Sequence, residues 1–255
     1  MQTKIKMISK NQIKYIRQLE LKKFRKREGL FVAEGPKVVG DLMKVYQPKA
    51  VYATNAYLSR TSSTITEVTE ITDEELHRIS FLQHPQQVLA LFPIPEHTLS
   101  IESVPDNLSL ALDGVQDPGN LGTIIRIADW FGIETIYCSE DTADAYNPKV
   151  IQATMGSIAH IRIIYTNLLQ FLEALPSSYP IYGTLLDGED IYTQQLSSNG
   201  IIIMGNEGNG ISEAVRQKVN HRLLIPCFHQ GDTAESLNVA IATAITCSEF
   251  RRRRE

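Results

Sequence analysis

The chain of 255 residues is long enough for one large domain or two small ones, and its 43% hydrophobic and 21% charged content is that of an ordinary globular protein. No apolar run approaches the roughly 20 residues a membrane-spanning helix needs, and the opening MQTKIKMISK lacks the apolar centre of a secretion signal. Cys138, Cys227 and Cys247 stand far apart with no CxxC spacing, which argues against zinc or a disulfide framework and predicts a reduced, cytoplasmic setting with no metal.

The net charge of −4 conceals an asymmetry. The first thirty residues hold ten Lys/Arg against Glu20 and Glu28, and residues 251–255 add four Arg and one Glu, so an acidic body carries basic ends. Clustered Lys/Arg supply the salt-dependent attraction to phosphates that dominates nucleic-acid affinity. A charged helix face with a frayed tail is the plainer alternative, and a pI near 5.9 argues against indiscriminate coating of DNA.

In chain order, the first hundred residues predict a small α/β unit. Apolar spacing predicts a helix over Asn11–Arg27, with Ile13, Ile16 and Leu19 on one stripe. Gly29 ends it, Leu30–Ala33 reads as a strand, and Gly35-Pro36 opens a helix through about Tyr46. Strands follow at Ala50–Ala53 and Glu67–Ile71, then a helix Glu74–Ser80 capped by Asp73, then a strand Val88–Phe92. Pro93–Asn107, with three prolines and no helical period, reads as a linker. Beyond it, strands and helices alternate to residue 250, from a strand Ser109–Leu112 to a helix Glu235–Phe250, which predicts a mostly parallel sheet covered by helices. The domains expected are therefore 1–95, a linker 96–107, and 108–255.

Three segments of the second half join strands to helices through polar, glycine-containing turns, where unpaired backbone groups collect ligands. Asp113–Asp129, DGVQDPGNLGTIIRIAD, groups Asp113, Asn120 and Arg126. Gly205–Gly210, GNEGNG, is neither GxGxxG nor a P-loop, and Glu207 within it would repel a pyrophosphate. The loop suits a ligand with positive charge or hydroxyl and amine donors; taken alone, its glycines are better explained as a tight turn. The third segment carries Ser236 and Asn238 at the start of a small-residue helix. Serine there is explicable as an N-cap, whereas asparagine two residues further ought to weaken an exposed helix start.

Together NLGTIIRIAD, MGNEGNGIS and IPCFHQGDTAESLNVAIA resemble, in order and spacing, the three motifs of the SpoU family, the RNA ribose 2′-O-methyltransferases of the SPOUT class. Departures are modest: Cys227 and Phe228 stand where Met and a small residue are common, and Ala240 where Ser is common. LKKFRKREGLFVAEGPKVV is similar to the substrate-binding domain that precedes the catalytic domain in many members. The resemblance implies a trefoil-knotted α/β catalytic domain, a preceding small α/β domain of ribosomal protein L30e type, a homodimer, and S-adenosylmethionine as cofactor. It implies catalytic roles for Asn120, Arg126, Glu207, Ser236 and Asn238. Cofactor contacts fall on Thr184, Leu185, Gly205, Asn206, Gly208, Ile225, Cys227 and Leu237, and RNA contacts on Lys22, Lys23, Arg25, Lys26 and Arg27. The expected substrate is ribosomal RNA, with transfer RNA second. A non-catalytic RNA-binding or ribosome-assembly protein that kept the fold is the alternative, and for Arg126 alone a helix-surface salt bridge.

Overall fold

The computed structural model describes residues 8–61, 68–102, 104, 107–229, 231 and 236–252. The chain falls into two compact units, Met1–Glu96 with Asp144–Ala159, and His97–Ala143 with His160–Glu255.

The first unit opens with α1 (Lys10–Gln18) and α2 (Lys22–Glu28). Where apolar spacing predicts one helix over Asn11–Arg27, the structure has two, because buried Leu19 caps α1 and Leu21 turns to extended backbone before α2. Gly29 ends α2 at φ 63°, a left-handed conformation that costs glycine nothing. There follow β1 (Leu30–Glu34), α3 (Pro36–Met43), β2 (Ala50–Ala53), α4 (Asn55–Leu58), β3 (Val68–Glu70), α5 (Asp73–Ile79) and β4 (Val88–Pro93). The cap of α5 is Thr72, not Asp73. The Thr72 hydroxyl accepts from the Glu75 N–H, and the Glu75 carboxylate accepts from the Thr72 N–H, a reciprocal pair that Asp73 at the first helical position cannot make. The sheet runs β1-β4-β2-β3, with β4 antiparallel to both neighbours, and Ile16, Leu19, Leu76, Ile79, Leu89 and Leu91 share one of its cores.

The second unit starts at β5 (Leu108–Asp113), α6 (Pro118–Trp130) and β6 (Thr135–Cys138). The chain then returns to the first unit as α7 (Pro148–Thr154) and a 3-10 turn, Ser157–Ala159. It completes the second with β7 (Arg162–Tyr165), α8 (Leu168–Glu173), β8 (Ile181–Asp190), β9 (Gly200–Gly205), α9 (Glu213–Arg216), β10 (His221–Leu224) and α10 (Val239–Arg252). All six strands are parallel, in the order β10-β8-β9-β5-β6-β7. LSLALD and GIIIMG occupy its centre, buried along almost their whole length as parallel strands covered on both faces must be. Strand order reverses between β5 and β9, and a crevice at the carboxyl ends of strands beside such a reversal is where open parallel sheets bind ligands.

Two differences from the sequence expectation concern boundaries. Leu99, Ile101 and Val104 of the expected linker pack onto the second unit's core, and the Tyr179 hydroxyl donates to the Val104 carbonyl at 2.6 Å. Asp144–Ala159, expected within 108–255, belongs to the first unit: α7 packs on β1, and the Tyr146 ring lies 5.2 Å from that of Phe31. No described helix is long and apolar enough to cross a membrane.

Arg25 binds that segment, which corrects its expected place on an RNA-binding surface. It is buried, 1% exposed, and donates to the carbonyls of Leu19 and Glu20 at 2.7 Å each. Its Nη2 and Nε reach Asp144 Oδ2 at 2.5 and 3.1 Å. The Arg25→Met variant strands a nearly buried carboxylate and two carbonyls, so it should lose about 3–5 kcal/mol of stability in urea unfolding. A loss below about 1 kcal/mol, the level of an exposed pair, would show the guanidinium to be dispensable.

Candidate active site

The site is built where β5, β8, β9 and β10 end. Asp113, at the end of β5, accepts the Ser212 N–H at 2.7 Å and so ties the first segment to the chain after the glycine loop. Asn206 fixes the loop itself. Its backbone exchanges two 2.9 Å hydrogen bonds with Gly210, its Oδ1 accepts from the N–H groups of Gly208 and Asn209, and its Nδ2 donates to the Gly114 carbonyl at 2.7 Å. A Cβ on Gly205 would lie 2.3 Å from the Gly210 carbonyl carbon, so the loop doubles back closely enough to demand glycine there. The tight-turn explanation of these glycines is thus correct but incomplete, since the turn also presents Glu207.

Glu207, Asn120 and Asn238 form a hydrogen-bonded line drawn from all three segments. Asp117 caps α6 by accepting the Asn120 N–H at 2.8 Å, which sets the Asn120 side chain at the helix start. Asn120 Nδ2 donates to Glu207 Oε1 at 3.0 Å, and Asn238 Nδ2 donates to Asn120 Oδ1 at 2.9 Å. The N–H groups of Gln116 and Asp117 reach the same carboxylate at 3.3 Å. Partial burial alone would raise the Glu207 pKa, but these donors outweigh it and hold the carboxyl below its usual range, so it is an anion at neutral pH. The Asn238 side chain also caps α10, its Oδ1 accepting from the N–H groups of Ala240 and Ile241 at 3.0 and 3.3 Å. This corrects the expectation that asparagine at this position is poorly explained by capping. An amide carries both a donor and an acceptor, so one side chain caps the helix and holds Asn120.

Beside this line lies a cavity of about 500 Å³. Of the residues expected to meet the cofactor, Thr184, Leu185, Gly205, Asn206, Gly208, Ile225 and Leu237 line it, as do Glu207 and Ser236. Cys227 does not: the chain leaves the cavity after Ile225, and Cys227 is exposed. Asp187, Ile211, Arg216 and Leu223 line it as well, without a place in the expected set. The run TLLDG held the signal for Asp187, as a polar residue followed by glycine at a strand end. The apolar run ends at Leu186, whereas β8 continues to Asp190. The other two cysteines are no nucleophiles, since burial pushes both thiols up, Cys247 to about 12. No cluster of metal-ligating side chains occurs among the described residues.

Arg126 stands apart from this assembly. It is exposed on the face of α6 shared with Thr123 and with Trp130, itself 85% exposed, and it lines no part of the cavity. Six residues on from Asn120, it lies about 9 Å further along the helix and on a different face. It makes no ion pair among the described residues. In the first unit Lys22, Lys23, Lys26 and Arg27 are exposed as expected, with Lys23 and Arg27 at 5.0 and 4.8 Å from the Phe24 ring centre. Glu235, expected to open the last helix, and Arg253 and Arg254 lie outside the described residues.

Comparison with known proteins identifies relatives over both halves of the chain. A profile described as the MRM3-like substrate binding domain matches residues 10–90. The chain is 32% identical over 248 residues to the 23S rRNA (guanosine(2553)-2′-O)-methyltransferase RlmP of Bacillus subtilis strain 168, covering 95% of this chain and 97% of that one. Among solved structures it is similar to a putative RNA methyltransferase of the TrmH family from Porphyromonas gingivalis (TM-score 0.88, 42% identity, 98% and 100% of the two chains). It is likewise similar to an AdoMet-bound rRNA methyltransferase from Sinorhizobium meliloti (TM-score 0.83, 31% identity, 97% of each chain). The profile of the SpoU rRNA methylase family matches residues 107–248, the span that holds the Glu207–Asn120–Asn238 line and the cavity, and the chain belongs to that family.

Proposed function

We propose that this protein transfers a methyl group from S-adenosylmethionine to a ribose 2′-hydroxyl of ribosomal RNA, and that it does so in the cytoplasm. The observation that carries the reading is the line Glu207–Asn120–Asn238 beside a cavity whose wall is a loop too tight for a side chain at Gly205. The cavity fits the cofactor: its volume is that of a small-molecule site, and Leu185, Ile225 and Leu237 offer apolar walls to a flat base. The anionic Glu207 suits a cation and not a phosphate. Bound there, the cofactor supplies an electrophilic methyl group. A non-catalytic protein has no physical need for this intact polar line.

A ribose hydroxyl is a very weak acid, so its oxygen has to be oriented and its developing charge met. Holding reactants in line is worth about 7–11 kcal/mol of barrier. A guanidinium such as that of Arg126 is a poor general base and a better ligand for phosphate and hydroxyl. It binds the RNA phosphate beside the target and stabilises charge on the 2′-oxygen. Asn120, Glu207, Ser236 and Asn238 shape the site that receives the ribose. Because Arg126 lies outside its own subunit's cavity, a second copy completes the site. The exposed face of α6 bearing Arg126 and Trp130, with Ile241 half-exposed on α10, is the surface for that homodimer, and the family resemblance implies that its C-terminal segment is knotted.

Incubation of the protein with tritiated S-adenosylmethionine and RNA from cells lacking it, followed by mapping of ribose methylation, tests the reading. Label in a 23S rRNA ribose, a guanosine in the case of RlmP, is expected; label in transfer RNA would move the substrate, and none would remove the activity. A second measurement addresses the basic helix. Neutralising Lys22, Lys23, Lys26 and Arg27 together should weaken RNA binding and lower the salt slope by up to about 3, whereas an unchanged slope would assign the cluster to solubility.

A further inference from the structure

Two charged groups in the cavity have no part in the Glu207–Asn120–Asn238 line. Asp187, near the end of β8, and Arg216, the last residue of α9, both line the cavity wall. Asp187 Oδ2 accepts from Arg216 Nη2 and, at 3.1 Å, from Arg222 Nη1 of β10. Two guanidinium groups on one oxygen hold the carboxylate in one orientation and leave Oδ1 without a hydrogen bond among the described residues. The backbone explains the convergence. A Cβ on Gly188 would come within 2.5 Å of the Leu223 carbonyl carbon, so β8 and β10 touch where their register shifts between Arg222 and Leu223.

Thr184 and Asn206, two other polar side chains of the cavity, are already engaged. Thr184 donates to the Ile203 carbonyl, and Asn206 is taken up by the loop. An oriented carboxylate oxygen in a nucleoside-sized cavity has a natural complement in a ribose, whose vicinal hydroxyls are two adjacent donors, and acidic side chains read nucleotide ribose this way in other parallel-sheet proteins. We propose that Asp187 accepts the ribose hydroxyls of the adenosyl cofactor, with Arg216 and Arg222 as positioning residues. The assignment rests on the methyltransferase reading and adds to it the group that recognises the sugar of the donor.

Calorimetric titration with S-adenosylhomocysteine and with its 2′-deoxy and 3′-deoxy forms tests it without turnover. The wild type should bind the parent about ten- to a hundredfold more tightly than at least one deoxy form, the range of a hydrogen bond to a charged group. Asp187→Ala should bind the parent and that deoxy form equally, and Asp187→Asn should fall between, with melting temperatures confirming that both fold. Equal weakening toward all three ligands, or none, would overturn the assignment and leave Asp187 a structural ion-pair residue. Failure of the wild type to bind the parent at all would instead strike at the methyltransferase reading itself.

Discussion

Arg126→Ala is expected to fold, to bind S-adenosylhomocysteine as the wild type does, and to lose methyl transfer by at least about 10²–10³-fold, the cost of removing one donor aimed at developing negative charge. Folding and binding should survive because the side chain is exposed and lines no part of the cavity. The loss should fall on kcat as well as on KM for RNA, since a guanidinium that met only a phosphate would change KM alone. Mixing chains distinguishes where the arginine acts. Neither an Arg126→Ala homodimer nor one with a disabled cavity, such as Gly205→Ala, should turn over, yet their heterodimer joins one intact cavity to one intact arginine across the interface. Recovery of a fraction of wild-type rate on mixing is the expected result. No recovery would place Arg126 over its own subunit's cavity, and near-normal rates for Arg126→Ala alone would remove it from the chemistry.

The isolation of Arg126 also marks the limit of what could be read from the sequence. Order and spacing of the three segments were legible because each is a strand end followed by a turn with a distinctive polar residue, and parallel strands announce themselves as apolar runs. That Glu207, Asn120 and Asn238 meet was legible as an expectation, and their hydrogen bonds realise it. That Arg126 does not join them in one chain was not legible, since the face of a helix on which a residue lies relative to a distant loop depends on packing.

Other misreadings have the same physical origin. Arg25 sits within a run of five basic residues among six, and charge alone does not distinguish the one that turns inward to Asp144 from those that face water. Its partner lies in a segment separated from it by 119 positions, whose attachment to the first unit follows from Tyr146, Asp144 and α7, none of which carries a local signal. Asn238 was misjudged because helix propensity treats it as a single-purpose residue, whereas its amide serves two partners at once. In β8 the apolar pattern ends at Leu186 while the strand continues, held by β10 through the register shift beside Gly188. The sequence marks Asp187 only as a polar residue before a glycine, and it is the pairing of β8 with β10 that places it on the cavity.

Gly205→Ala should have the largest effect on cofactor binding of any single methyl group added to this chain. The new carbon would meet the Gly210 carbonyl carbon and the Ile211 nitrogen at 2.3 Å and the Gly210 oxygen at 2.6 Å, all backbone atoms that no side-chain rotation can move away. Relief requires opening the Asn206–Gly210 pair, which releases the N–H groups of Gly208 and Asn209 from Asn206 and shifts Glu207 away from Asn120. Overpacking of this kind costs about 1–3 kcal/mol, so the variant should fold with reduced stability. Its affinity for S-adenosylhomocysteine should fall by about a hundredfold or more, because one cavity wall is rebuilt rather than trimmed. Gly208→Ala is the matched control. There a Cβ meets only Asn206 Oδ1 at 3.6 Å, an ordinary contact, and affinity should change by less than about threefold. Equal losses for the two variants would mean that the loop is too pliant for the close approach at Gly205 to matter, and the cavity would then owe its shape to the apolar walls of β8 and β10 alone.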